Sequence, residues 1–137
     1  MKAARFDRIA WSILLVGCIA VLGLSRWLTP NAGGTGTHMQ LGLPPCGFLY
    51  LFGKPCPACG LTTAFAHLAH FDLMASLHTQ PMGLPLFALT ILLVPVSALG
   101  LVRQRPIAAL FNVRGIEGIA LTLVFGLLAV WIVRLVA

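Results

Sequence analysis

The chain has 137 residues, of which 59% are hydrophobic and only 9% charged, and its mean hydropathy is +0.98. A soluble domain carries about 25% charged residues, so this composition excludes a soluble domain of this length and indicates an integral membrane protein. Nine Lys and Arg against three Asp and Glu give a net charge of +6, but the basic residues flank apolar runs instead of forming a stripe interleaved with aromatics. That distribution argues against nucleic-acid binding and reads as a membrane-orientation signal.

The first element in the chain is the apolar run Ile9 to Leu28, long enough for a helix to cross a hydrocarbon core of about 30 Å. Lys2, Arg5 and Arg8 precede it, and Trp27 is placed at the far interface. A cleaved signal peptide is disfavoured because no small-residue cleavage site stands out before Arg26. Leu15-Val16-Gly17-Cys18 resembles a lipoprotein cleavage box, yet the residues after Cys18 stay apolar, and a buried membrane cysteine is the preferred reading. Residues 29–40 form a Gly-, Thr- and Asn-rich connector of turn composition. His38 lies within it and is assigned no specific role.

Leu41 to Lys54 is apolar but interrupted by Pro44, Pro45, Gly47 and Gly53. It reads as a loop lying on or dipping into the membrane, shielded by helices. Pro57 to His78 predicts one amphipathic or re-entrant helix, with Pro57 in its first position. Leu61, Ala64, Phe65, Leu68 and Phe71 share one face, and Thr62, Thr63, His67 and His70 the other. Asp72 argues against a lipid-exposed span, because a carboxylate at mid-bilayer costs about 2.5–3.5 kcal/mol. Two further spans follow, Gly83 to Val102 with Pro85 and Pro95 inside it, and Ile116 to Val136 with Trp131 and Arg134 near its end. Pro95 predicts a kink near Ser97 to Gly100, and Gly17, Gly23 and Gly126 are small residues that allow close helix contacts.

The expected fold is thus an all-α membrane protein, one polytopic domain over 1–137, with spans at about 9–28, 83–102 and 116–136. The cysteine loop and its helix occupy about 41–80. Three basic residues before the first span and three in the 103–115 loop place the N-terminus in the cytoplasm by the positive-inside rule. The cysteine loop and the C-terminus are then outside, the periplasmic face of a bacterial inner membrane, where disulfides are permitted.

Chemistry concentrates between Cys46 and Ala64, CGFLYLFGKPCPACGLTTA. If Cys56 caps the helix opened by Pro57, the free backbone N–H groups and the helix dipole favour its thiolate. Cys59, Thr63, His67 and His70 continue the same stripe, and Cys46 lies ten residues upstream in a loop that can fold back. One reading is a tetrahedral zinc site of Cys46, Cys56 and Cys59 completed by His67 or His70. A second is a membrane thiol–disulfide oxidoreductase in which Cys56 and Cys59 are catalytic, with Cys46 as a relay. A third is structural: a disulfide or thiol turn that holds the loop, in a scaffold or a subunit of a larger membrane assembly. No phosphate-binding glycine loop, paired carboxylates or serine triad is visible, no organic cofactor site is expected, and the chain reads as a binding or structural protein more than as an enzyme.

The same residues resemble a family of small bacterial membrane proteins catalogued as domain of unknown function 2752. Cys46, Gly53, Cys56, Pro57, Cys59, Gly60, Thr62, Ala64, Asp72 and Pro81 stand at positions matching that family's pattern. The chain departs from it where Gly47 replaces a proline, Thr63 an arginine and Gln80 an asparagine. The resemblance implies a membrane location and a site at the cysteines, and no biochemical activity.

Overall fold

The computed structural model describes residues 2–136, and they form helices and turns with no strand among them. Three helices are long and apolar enough to cross a membrane: α1 (Lys2–Trp27), α5 (Gly83–Val102) and α7 (Ile116–Val136). Four shorter ones fill the connections: α2 (Gly47–Phe52), α3 (Leu61–Ala69), α4 (Leu73–Thr79) and α6 (Ala108–Phe111), with a 3-10 turn at Thr37–Leu41. The three long helices and the exposure of large apolar side chains, among them Ile13, Leu92 and Val133, fit a multi-pass membrane protein in contact with lipid.

Local chemistry explains the boundaries. α1 stops at Trp27, just before the Thr29-Pro30 step, where the residue preceding proline is pushed out of helical conformation. Pro85 is tolerated in the first turn of α5, where N–H groups have no partner within the helix. Pro95 is accommodated inside α5, which runs on to Val102. Its end is closed by a bond from the Arg105 N–H to the Gly100 carbonyl at 3.1 Å, with Pro106 following.

α1 and α5 form the principal packed pair. Trp11 is buried and lies on Gly100, where a Cβ would come within 2.5 Å of the indole ring. The Trp11 indole N–H donates to the Arg105 carbonyl at 2.8 Å, and the Ile107 N–H donates to Asp7 at 3.1 Å. These bonds clasp the start of α1 to the loop after α5. At the other end of α1, Leu24, Ser25 and Leu28 face Leu61 and Phe65 of α3. α3 in turn meets α5 where Gly83 approaches Ala64 so closely that a Cβ would sit 2.6 Å away. The small residues that permit close approach are therefore Gly83, Gly100 and Gly126, the last against Met82 at 2.9 Å, whereas Gly17 and Gly23 have open space around them.

The segment expected as one helix from Pro57 to His78 is two helices. Phe71 takes a left-handed conformation, φ 64°, and the Asp72 N–H bonds back to the His67 carbonyl at 2.9 Å, closing α3. Asp72 then accepts from the Ala75 N–H at 3.1 Å and starts α4. With nine and seven residues, neither piece approaches the ~30 Å that a crossing requires. The 29–40 connector is more ordered than its composition implies: Gln40 bonds both the N–H and the carbonyl of Thr29, and Thr37 is fully buried.

Candidate metal centre

The cysteine turn is built on its backbone. Gly60 is left-handed, φ 88°, and a Cβ there would lie 3.0 Å from the Gly34 carbonyl and 3.3 Å from the Thr79 side chain. Only glycine meets both demands at low cost. α3 starts after Gly60, with the Ala64 N–H bonded to the Gly60 carbonyl at 2.8 Å, while the Cys59 and Leu61 N–H groups close tight turns onto Cys56 and Ala58. Cys56 is therefore not the cap of a helix opened by Pro57. The Pro57 carbonyl is instead taken by the side-chain amide of Gln80, at 3.1 Å.

Two more carbonyls of this turn are held from outside. The Trp131 indole N–H donates to Pro55 at 2.9 Å, and Arg134 donates to Cys59 at 3.0 Å and to the Gln80 amide oxygen at 3.1 Å. Gln80 is fully buried and, with its amide thus occupied on both sides, satisfied. In the sequence Trp131 and Arg134 stand only as residues near the end of the third span. Their site role carries no local signal, because both partners lie more than 50 residues away.

The turn brings three sulfurs together: those of Cys46, Cys56 and Cys59 lie within 4.8 Å of one another, with Cys56 and Cys59 3.1 Å apart. All are free thiols. Cys46, not Cys56, is the cysteine at a helix start, preceding α2. Its pKa is lowered to about 7, first by the Leu49 N–H, then by the Cys59 and Cys56 thiols, with the Phe48 N–H adding to this and burial opposing it. Cys59 goes the other way, to about 12, because burial and the neighbouring Cys56 and Cys46 sulfurs disfavour a further negative charge, against a smaller lowering by the Cys56 backbone.

The histidines expected beside the cysteines are not in this cluster. His67 faces Asp72, Nδ1 to Oδ2 at 3.6 Å, and His70 Nδ1 bonds the Ala66 carbonyl of its own helix at 2.7 Å. The three cysteines instead wall a cavity of about 320 Å³ whose other side is formed by the 29–45 segment, including His38 and Met39. That segment is pinned by the buried Thr37–Thr63 hydroxyl pair, 2.7 Å apart.

Residues 46–94 match the family described as "Protein of unknown function (DUF2752)". The expected family resemblance holds over this stretch, which starts at the first cysteine of the cluster and ends within α5. No curated protein and no solved structure matches the chain.

Proposed function

We propose that this protein is a multi-pass bacterial inner-membrane protein that binds one thiophilic metal ion, zinc in the first instance, through Cys46, Cys56 and Cys59. The observation that carries the reading is the convergence of three sulfurs within 4.8 Å. Tetrahedral zinc with bonds of about 2.3 Å sets its sulfurs about 3.8 Å apart. The Cys56–Cys59 pair at 3.1 Å then needs to open by less than an ångström. The donor set is soft and contains no carboxylate, which selects zinc or copper(I) over magnesium or calcium. The elevated Cys59 pKa fits the same reading. Burial and the crowding of three sulfurs oppose its ionisation, and a bound cation reverses that balance by supplying the missing positive charge.

The proposed orientation puts the cysteine turn on the outer face and the start of α1 in the cytoplasm. Arg5, Arg8, Arg103 and Arg105 support it, since the clasp of Asp7 and Trp11 to residues 105–107 gathers them at one end of the α1–α5 pair.

A second reading, disulfide exchange at Cys56 and Cys59, is favoured by their 3.1 Å separation. Attack of the Cys46 thiolate on a Cys56–Cys59 disulfide would form a Cys46–Cys56 bond and release the Cys59 thiolate. The metal reading is preferred because it accounts for the convergence of all three sulfurs, whereas a disulfide joins two. The deciding experiment is mass-resolved thiol counting on native membranes. Labelling of Cys46, Cys56 and Cys59 only after chelation supports the metal site. Labelling of two of them only after reduction replaces it with a disulfide.

A further inference from the structure

We propose that His38 is the fourth ligand of this site, through Nδ1. The inference rests on the metal reading above and specifies the one coordination position that the three cysteines leave open.

Three observations carry it. His38 lines the same cavity of about 320 Å³ as Cys46, Cys56 and Cys59. Its Nε2 lies 3.2 Å from the Pro44 carbonyl. A carbonyl only accepts, so in the neutral ring Nε2 carries the proton and the lone pair is on Nδ1. This is the arrangement of metal-binding histidines generally, in which one ring N–H donates to a carbonyl or carboxylate and thereby sets the tautomer for the other nitrogen. Finally, the neighbouring residue is anchored to the site. Thr37 is fully buried and its hydroxyl lies 2.7 Å from that of Thr63, which lines the cavity two helical positions after Leu61.

No other histidine meets these conditions. His67 lies in α3 and His70 caps its end, both absent from the cavity lining, and His78 sits in the last turn of α4. His38 itself is not within the 4.8 Å sulfur cluster, so its ring turns inward when metal binds. Three thiolates and one neutral imidazole make a closed tetrahedral set of the kind that zinc holds in structural sites.

The test uses the full chain in detergent micelles, stripped of metal and titrated with cobalt(II). The wild type is expected to give thiolate-to-cobalt charge-transfer absorption together with the intense d–d bands of a tetrahedral ion. His38→Ala keeps the charge-transfer bands, changes the d–d envelope and binds more weakly, and free imidazole restores the wild-type envelope. His38→Cys restores affinity and adds a fourth thiolate's charge transfer. His67→Ala and His70→Ala leave the spectrum unchanged. A His38→Ala protein with the wild-type spectrum and affinity overturns the assignment while leaving the three-cysteine site intact. So does a His38→Ala protein that loses cobalt and is not rescued by His38→Cys or imidazole. Absence of any thiolate charge transfer in the wild type overturns the metal reading itself, and this inference with it.

Discussion

Arg134, in the last turn of α7, donates to the buried amide oxygen of Gln80 at 3.1 Å, and through the same nitrogen to the Cys59 carbonyl at 3.0 Å. Gln80 passes the connection on to Pro57. A guanidinium from the last long helix and an amide from the end of α4 thus lock the cysteine turn on two sides. Together with Trp131 on Pro55, they tie α7, none of whose residues is buried, to the rest of the protein.

This network predicts that Gln80→Leu destabilises the protein by about 1–3 kcal/mol, because it leaves the Pro57 carbonyl without a partner and Arg134 with the Cys59 carbonyl alone. Arg134→Gln is expected to lower the thermal midpoint as well, and to raise the labelling rate of Cys59. Thermal unfolding in detergent, followed by thiol accessibility, measures both. An unchanged midpoint in both variants would remove the network from the list of stabilising contacts.

Packing at Gly100 gives a second prediction with an internal control. Gly100→Ala forces a methyl into the Trp11 ring and is expected to cost about 1–3 kcal/mol, the usual range for overpacking. Gly17→Ala, in the same pair of helices but with nothing within 4 Å, is expected to be neutral or slightly stabilising. Equal midpoints for the two variants would contradict the α1–α5 contact described above.

Ser76 is fully buried, and its hydroxyl has no hydrogen-bond partner. Its place beside Gly83, 3.7 Å from where a Cβ would stand, leaves room for a small side chain only. Ser76→Ala keeps the volume nearly constant and removes an unsatisfied polar group, so it is expected to stabilise by about 1 kcal/mol. A fall in the midpoint would indicate that the hydroxyl is bonded after all.

In metal-free protein the Cys46 and Cys59 thiols differ sharply with pH. Alkylation requires the thiolate. With its pKa lowered to about 7, Cys46 is half ionised near neutrality, so its labelling rate rises through pH 6–8 and then levels off. Cys59, raised to about 12, stays a thiol across that window and labels slowly throughout. Peptide-resolved mass spectrometry after timed alkylation reads both. Equal rates at pH 7, or faster labelling of Cys59, would show that the charge order in the cluster is the reverse.

The membrane character, the three long helices and the presence of a turn at CPACG were legible in the chain because they depend on local quantities. Apolar run length sets a span, and Gly60 and the prolines announce a turn. The break between α3 and α4 is invisible in the sequence because 3.6-residue periodicity persists across Phe71 and Asp72. Nothing in that pattern shows that a phenylalanine takes a left-handed conformation while an aspartate caps a new helix.

What surrounds the three cysteines was decided by tertiary structure alone. Cys46 joins Cys56 and Cys59 because the loop between them folds back. His67 and His70, on the expected helical stripe, are turned to Asp72 and Ala66, while His38, Gln80, Trp131 and Arg134 arrive from distant segments. By itself the sequence determined the membrane character and placed Cys56 and Cys59 in one turn, since hydrophobicity and turn chemistry act between near neighbours. Only the packing of helices far apart in the chain decided what surrounds those sulfurs, since hydrogen bonds to a turn's carbonyls depend on position in space and leave no periodic trace.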